Sequence, residues 1–242
     1  MEATEILNKI KECDKQYMQL FCSLGREWGL YVYQDRLLPE LPEHNYLLIP
    51  DHIPAGRLRG LADVARNTAK ATGRSFLRIE MAHPLSFSSA KSESWGRYYL
   101  SDTDAINVCC SSDLSFRAVD DAEAIQALVD FESALAENAD YGKRRANRFG
   151  QVYLSDNGLY CWLCCKGDRV IARGELFVNG HTAKIINVEA AQAAYNVSTG
   201  ALIRHLIEQG RKLGAELIYT ESQSELDGFN KIDDYYTVQW QF

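Results

Sequence analysis

The chain is 242 residues long, with 46% hydrophobic and 24% charged residues, which is an ordinary composition for a globular protein. This length allows one large domain or two smaller ones with buried cores. The formal net charge of −7 argues against a nucleic-acid partner, because phosphate contacts need clustered Lys and Arg side chains. An acidic balance is compatible with a basic small-molecule substrate.

No run approaches the ~18 apolar residues that a membrane-spanning helix needs. The first residues alternate charged and apolar side chains at helical spacing, and they lack the basic start and apolar run of a signal peptide. Seven cysteines, an odd number at irregular spacing, fit reduced thiols better than a disulfide framework. We therefore expect a cytoplasmic protein without a membrane partner.

The run Cys161-Trp-Leu-Cys164-Cys165 has the spacing of half a zinc site, but a closed zinc site needs four ligands. The other close pair, Cys109 and Cys110, would point to opposite faces of a strand because the two residues are adjacent. We therefore predict no metal site and interpret these thiols as small buried hydrophobic groups.

The first half of the chain has the pattern of an α/β segment. Helical spacing predicts one helix over residues 3–24 and a second that starts at 51–54 and ends near Gly73. Residues 83–94 are predicted to form a polar loop. Short apolar runs predict strands over residues 30–33, 46–49, 75–81, 98–100 and 106–110.

A turn signal at Ser111-Ser112-Asp113 predicts a boundary between an N-terminal α/β domain, 1–112, and a C-terminal domain, 113–242. The C-terminal domain begins with a predicted strand, followed by a helix that Asp120 or Asp121 caps and a second helix from about Tyr141 to Arg148.

Two Gly-containing turns, Lys166-Gly-Asp168 and Asn179-Gly180, then predict an antiparallel meander of three strands. The remaining predicted elements are a helix over 198–213, a strand over 215–220, a short helix over 224–232 and a strand over 235–242.

The segment that carries a chemical signal joins the third meander strand to the 198–213 helix. Ser198, Thr199 and Gly200 form the predicted first turn of that helix, where backbone N–H groups lack partners and the helix dipole is positive. Such a turn can hold a phosphate or pyrophosphate, and Gly200 would allow close approach of a ligand. Ser198 as a plain N-cap is the alternative interpretation.

The order of these elements resembles the GNAT acyltransferase superfamily over about residues 114–242. The family signature Arg/Gln-x-x-Gly-x-Gly/Ala matches Tyr195-Asn-Val-Ser-Thr-Gly200, in which only the final Gly is kept. The resemblance implies an α/β, GNAT-like fold with a mixed, mostly antiparallel sheet flanked by helices. The N-terminal domain, whose helix and strand at 54–81 echo those at 198–220, would be a smaller α/β domain or a degenerate GNAT-like copy in a tandem arrangement.

The resemblance also implies an acetyl-CoA site without a metal. The pyrophosphate would lie on the backbone of Tyr195, Asn196, Val197, Ser198, Thr199, Gly200 and Ala201. Asn187, Val188 and Glu189 would pair with the pantetheine arm, and a backbone N–H near Val188 or Glu189 would polarise the thioester carbonyl.

Catalytic residues are harder to transfer from the family. Many relatives protonate the leaving thiolate with a Tyr in the short helix after the fifth strand, where this sequence has Phe229. Tyr235, or its neighbour Tyr236, is the predicted substitute. Glu189 is our preferred general base for an ammonium substrate, with Glu175 and Glu221 as alternatives and a solvated surface carboxylate as the simpler interpretation of each.

The resulting hypothesis is an N-acetyltransferase that moves an acetyl group from acetyl-CoA to the primary amine of a small molecule or peptide by direct attack. A non-catalytic GNAT-fold protein that binds CoA or acts as an interaction scaffold is the alternative, and an unrelated α/β binding module is the third. Arg144, Arg145 and Arg148 are candidates for holding an acceptor carboxylate. The closing strand, 235–242, could pair across a homodimer.

Overall fold

The computed structural model describes residues 2–27, 29–51, 53–71, 73–87, 89–100, 113–192 and 195–242. The chain divides into two compact units, neither of them continuous in sequence. The C-terminal unit comprises residues 1–17, 99–220 and 227–230, and the N-terminal unit comprises residues 18–98, 221–226 and 231–242. The predicted boundary at 112 and the predicted strand at 106–110 lie outside the described residues. Most of the first helix groups with the C-terminal unit, and most of the last strand groups with the N-terminal unit.

The described part of the chain contains helices and strands in both units. The helices are α1 (Ala3–Gln19), α2 (Ala55–Ala71), α3 (Ala122–Leu135), α4 (Ala139–Tyr153) and α5 (Tyr195–Lys212). The strands are β1 (Ser23–Glu27), β2 (Leu30–Gln34), β3 (Tyr46–Leu48), β4 (Phe76–Met81), β5 (Lys91–Leu100), β6 (Leu114–Ala118), β7 (Leu159–Lys166), β8 (Arg169–Asn179), β9 (Thr182–Ala190), β10 (Leu217–Ser222) and β11 (Phe229–Gln241).

The N-terminal unit is a mixed sheet with α2 packed on it. Strands β1, β2 and β3 are antiparallel neighbours, β3 and β4 are parallel, and β4 pairs antiparallel with β11. Helix α2 makes the connection between the parallel strands. Its apolar positions recur at helical spacing, and four of them join the core of this unit, namely Leu58, Ala62, Ala65 and Ala69.

The C-terminal unit repeats this order of elements. Strands β6, β7, β8 and β9 are antiparallel neighbours, β9 and β10 are parallel, and α5 connects the last two. Leu202, Leu206 and Ile207 of α5 are buried in the core on one face of the sheet. The predicted meander is therefore present as β7, β8 and β9, and both units are α/β with mixed, mostly antiparallel sheets, as predicted.

Local signals account for several of these elements. Gly167 and Gly180 have positive φ angles of 58° and 57° in the two hairpin turns, which is the conformation that such turns require. Asp121 is the N-cap of α3, where its side chain accepts a hydrogen bond of 2.6 Å from the backbone N–H of Ala124.

Four local predictions were wrong. The first helix ends at Gln19, and Ser23–Glu27 is a strand. The polar loop is shorter, because β5 begins at Lys91. The predicted helix at 224–232 is a turn that leads into β11, with Gly228 at a φ of 80°, because this backbone conformation stops a right-handed helix. Helix α5 begins at Tyr195, three residues before the predicted start.

Helix α1 packs in the C-terminal unit through a buried polar contact. Asp14 accepts hydrogen bonds of 2.7 Å from both the Lys184 ammonium group and the Tyr219 hydroxyl. Tyr17 packs against Phe177 of β8 with ring centroids 5.8 Å apart. The N-terminal helix therefore covers β8, β9 and β10 on the sheet face opposite α5.

Gly158 supplies a stability test of the meander. Its φ is 82°, and an added Cβ would lie 2.4 Å from the Val178 carbonyl oxygen. Gly158→Ala should lower the free energy of unfolding by more than the ~1–2 kcal/mol of left-handed strain, as measured by urea unfolding. The control is Gly167→Ala, where φ is 58° and the space around the added Cβ is open. Its loss in the free energy of unfolding should therefore come from backbone strain alone. Equal losses in the two variants would contradict a steric role for Gly158.

Candidate acyl-CoA site

The ladder between β9 and β10 ends part-way along both strands. It runs from Thr182 opposite Leu217 to Ile185 opposite Thr220, whereas β9 continues to Ala190. The Thr220 hydroxyl closes the ladder by donating a hydrogen bond of 3.0 Å to the Ile185 carbonyl oxygen. The last residues of β9 therefore extend past the paired region, where a ligand can lie alongside them.

A β-bulge occurs in β9 directly after this point. Arg173 of β8 lies opposite Glu189 and Glu175 lies opposite Ile186, so β9 has one more residue than β8 across the interval. Asn187 has a φ of 49° and is the one non-glycine residue with positive φ in the described ranges. A bulge takes backbone groups out of the ladder, and here the residues without a partner on β8 are Asn187 and Val188, two of the three predicted pantetheine positions, while Glu189 is paired with Arg173.

Helix α5 follows the bulged strand. Because α5 begins at Tyr195, the positive end of its helix dipole lies at Tyr195 and the residues that follow it. The prediction that Ser198 begins the helix was therefore wrong. Ser198 is buried at 1% exposure, while Thr199, Gly200 and Ala201 fall in the second turn. All the predicted pyrophosphate residues lie within the first two turns of α5.

Sequence comparison offers no relative: no protein-family model matches this chain, and no curated protein matches it. Solved structures do match it. A GCN5-related N-acetyltransferase from Kribbella flavida superposes with a TM-score of 0.67 at 13% identity, covering 96% of this chain and 94% of that one. A conserved protein of unknown function from Staphylococcus epidermidis superposes with a TM-score of 0.71 at 10% identity, covering 91% and 94%.

A tandem GNAT protein from the clavulanic acid biosynthesis pathway also matches, with a TM-score of 0.53 at 12% identity over 96% of this chain and 95% of that one. This chain has the GNAT fold. The match extends over both units, in keeping with the element order that the N-terminal unit shares with the GNAT-like C-terminal unit.

On the face of the GNAT sheet opposite α5, a buried ion cluster lies beside the bulge. Arg173 of β8 is 1% exposed, and its guanidinium contacts three carboxylates. Its Nε lies 2.8 Å from Glu132 of α3 and its Nη2 lies 3.2 Å from Glu189 of β9, while its Nη1 donates to the neighbouring Glu175. Arg145 of α4 bridges Glu189 at 2.7 Å and Glu132 at 3.4 Å. The cluster therefore joins α3, α4, β8 and β9.

Burial and charge act in opposite directions on the groups of this cluster. Burial by itself would lower the pKa of Arg173, but Glu189, Glu175 and Glu132 outweigh it and raise that pKa well above its usual value. Burial raises the pKa of Glu132 although Arg173 and Arg145 oppose the change. For Glu189 burial acts upward, but the two arginines prevail and lower its pKa.

The predicted bases occupy different positions. Glu189 lies next to the bulge, with its side chain 35% exposed and both oxygens held by arginines. Glu175 is in the middle of β8 and fully buried, so it lies away from both ends of its strand. Glu221 belongs to the N-terminal unit, where it lies 3.5 Å from Arg97.

The predicted acid is also in the N-terminal unit. Tyr235 is 8% exposed, with Arg97 4.4 Å above its ring and Trp95 stacked beside it. Its role as an acid stays a prediction, as does that of Glu189 as a base. Phe229, at the start of β11, packs on the core of the C-terminal unit.

Two further results concern ligands and membranes. The described residues contain no group of three or more His, Cys, Asp or Glu that could hold a metal ion. Within the same ranges, no helix is both long and apolar enough to cross a membrane.

Sequence reasoning missed the contribution of Arg173 and Glu132. Arg173 and Glu175 are two apart in a strand of otherwise apolar and small residues, Val170 to Val178. Opposite charges at this spacing share one face of a strand, and this signal could have indicated a buried pair.

Arg173 supplies a test of the cluster. Removing one member of a buried ion network costs about 3–5 kcal/mol, because its partners keep their charges without compensation. Arg173→Met should therefore lower the free energy of unfolding by about that amount, as measured by urea unfolding at neutral pH. The matched control is Arg145→Met, whose side chain is 18% exposed and whose loss should be smaller. The reverse order would contradict the central position of Arg173.

Glu189 supplies a test by pH. The pKa of the Glu189 carboxylate is lower in the folded protein than its usual value. The stability that its ion pairs contribute should therefore be present above about pH 4.5 and be lost as the pH falls through the pKa of the folded protein. Glu189→Gln should thus be less stable than the wild type at pH 7, and the difference should shrink below pH 4.5 in pH-dependent unfolding. Glu137→Gln, at an exposed carboxylate, is the control. A difference that stays constant with pH would rule out the ion pairs as its source.

Proposed function

We propose that this protein is an N-acetyltransferase that moves an acetyl group from acetyl-CoA to the primary amine of a small molecule or peptide. The observation that carries the proposal is the bulge at Asn187, which lies just past the end of the β9–β10 ladder and shortly before the start of α5. Together these features would offer a strand edge to the pantetheine arm and the positive end of a helix dipole to the phosphates.

Each part of acetyl-CoA has a proposed contact. The pantetheine amides would pair with the backbone of Asn187, Val188 and Glu189. The pyrophosphate would accept hydrogen bonds from the start of α5, over Tyr195 to Ala201, where the helix dipole also favours an anion. A backbone N–H of Val188 or Glu189 would donate to the thioester carbonyl oxygen and stabilise the oxyanion as it forms.

The proposed reaction is direct attack. The amine nitrogen bonds to the carbonyl carbon, the carbon–sulfur bond breaks, and the departing CoA thiolate takes up a proton, for which Tyr235 is the proposed donor. The nitrogen releases one proton as the amide forms, and this proton restores the one that Tyr235 has given. The ammonium form of the acceptor must first lose a proton, and Glu189 is the proposed base. Since two arginines lower the pKa of Glu189, it would be a weak base that is ionised throughout the neutral range.

The charge of the cluster bears on the acceptor. Arg145 is engaged by Glu132 and Glu189, so it is not the free guanidinium that an acceptor carboxylate would need. This engagement favours a cationic amine over an amino acid that is bound through its carboxylate.

A CoA-binding protein without catalysis is the second candidate. It is favoured by Phe229, which takes the place of the family's tyrosine acid and packs into the core. The two candidates share the cofactor site and differ in turnover.

The experiment that tests the site is thermal unfolding with acetyl-CoA. Ligand at about 100 times its dissociation constant should stabilise the protein by about 2.7 kcal/mol. Gly200→Trp should abolish this stabilisation by placing a bulky ring at the N-terminal end of α5. Glu208→Trp, on an exposed position two turns along the same helix, should retain it.

Turnover is then measured by thiol release with a panel of primary amines that includes di- and polyamines. Release of CoA that depends on an amine supports the acetyltransferase. Binding without release on any amine favours the second candidate, and the absence of any acetyl-CoA effect on unfolding would contradict both.

A further inference from the structure

The bulge residue makes a side-chain contact that the fold alone does not require. The Asn187 side-chain amide donates a hydrogen bond of 3.1 Å to Oε1 of Glu175. Glu175 is fully buried and lies on β8, opposite Ile186 at the edge of the bulge. The extra residue of β9 is therefore tied across the bulge to its neighbouring strand.

This contact opposes a backbone cost. A left-handed conformation is unfavourable for a non-glycine residue, although Asn adopts it more readily than most residues do. A hydrogen bond from the Asn187 side chain to a buried carboxyl group stabilises this conformation. The Asn187–Glu175 bond can therefore hold the bulge in its observed form.

Glu175 is itself fixed from several directions. Its carboxylate accepts from Arg173, which also contacts Glu132 of α3 and Glu189 of β9. Glu189 and Asn187 lie on either side of Val188 in the bulge segment. Through Glu175 and the two arginines, the ion cluster thus contacts both ends of the three-residue stretch, Asn187 and Glu189.

We infer that Glu175 is a positioning residue, which holds Asn187 in the left-handed conformation and thereby directs the Val188 N–H toward the thioester carbonyl. The inference rests on the proposed function. It explains why a central strand, buried on both faces, contains a carboxylate. It also gives Asn187 a role in the acyl-transfer step rather than in cofactor affinity.

The main test compares two substitutions at Asn187, neither of which alters the ion pairs. Both lose the bond to Glu175, but Asn187→Gly keeps access to positive φ, whereas Asn187→Val strongly disfavours it. Asn187→Val should lower kcat by about 100-fold or more, the effect of losing one oxyanion donor. The loss of kcat in Asn187→Gly should be at least tenfold smaller than the loss in Asn187→Val.

The dissociation constant for CoA, which lacks the acetyl carbonyl, should rise in Asn187→Val by a smaller factor than the factor by which kcat falls. A parallel loss of kcat in both variants, or a loss confined to CoA affinity, would overturn the inference.

A second readout does not depend on turnover. The backbone carbon resonances of Asn187 and Val188 in the ligand-free protein report φ at the bulge. Asn187→Gly should leave those of Val188 close to wild type, and Asn187→Val should shift them. If no amine is acetylated by the wild type, the proposed function fails, while these resonances still decide whether the contact holds the bulge. Unchanged Val188 resonances in Asn187→Val would show that the contact does not hold the bulge.

The role of Glu175 is tested by rescue. Glu175→Gln keeps the shape of the side chain but removes its charge. If Glu175 acts through Asn187, the loss of kcat caused by Glu175→Gln should be smaller in an Asn187→Gly background, because glycine needs less help to adopt positive φ. Equal losses in both backgrounds would contradict the assignment. If Glu175→Gln does not fold, the Asn187 pair and the resonances decide the matter alone.

Discussion

The buried guanidinium of Arg173 is the constraint on which the C-terminal unit depends. A charge in a central strand loses its hydration and is tolerated only when carboxylates surround it. Arg173 obtains them from three elements, α3, β8 and β9, through Glu132, Glu175 and Glu189. The helical layer and the bulged strand are thereby held in one arrangement, because moving either would leave a charge uncompensated.

The opposite face of the same strand segment sets the position of α5. Gly174 lies between Arg173 and Glu175, and an added Cβ would come within 2.9 Å of Leu206 and 3.1 Å of Leu202. A glycine here allows the helix to pack closely on the sheet. Three consecutive residues of β8 therefore influence both parts of the proposed cofactor site, the bulge through their charges and α5 through the missing side chain.

The two units share an order of strands and helices, and each has a buried arginine in its sheet. In the N-terminal unit, Arg78 of β4 lies 3.3 Å from Glu80 and 3.5 Å from Glu43. In the C-terminal unit, the ion cluster lies on α3, α4, β8 and β9, and α1 adds the Asp14 contact with Lys184 and Tyr219. The bulge, the start of α5 and the larger ion cluster all lie in the C-terminal unit, whereas Tyr235, the proposed acid, belongs to the N-terminal unit.

The sequence by itself determined the elements whose signals are local: the meander with glycines in its turns, the Asp121 cap, the parallel strand–helix–strand of each unit and the GNAT-like order that indicated an acyl-CoA site. Periodicity and turn chemistry depend on neighbours within a few residues, so they can be seen in the chain. The start of α5 and the absence of a helix at 224–232 were not visible, because weak local preferences yield to packing. The bulge at Asn187 and the cluster around Arg173 were decided by tertiary structure alone, since both arise from residues brought together from distant positions. Ion pairs form among Glu132, Arg145, Arg173 and Glu189 only because α3, α4, β8 and β9 meet around one buried charge.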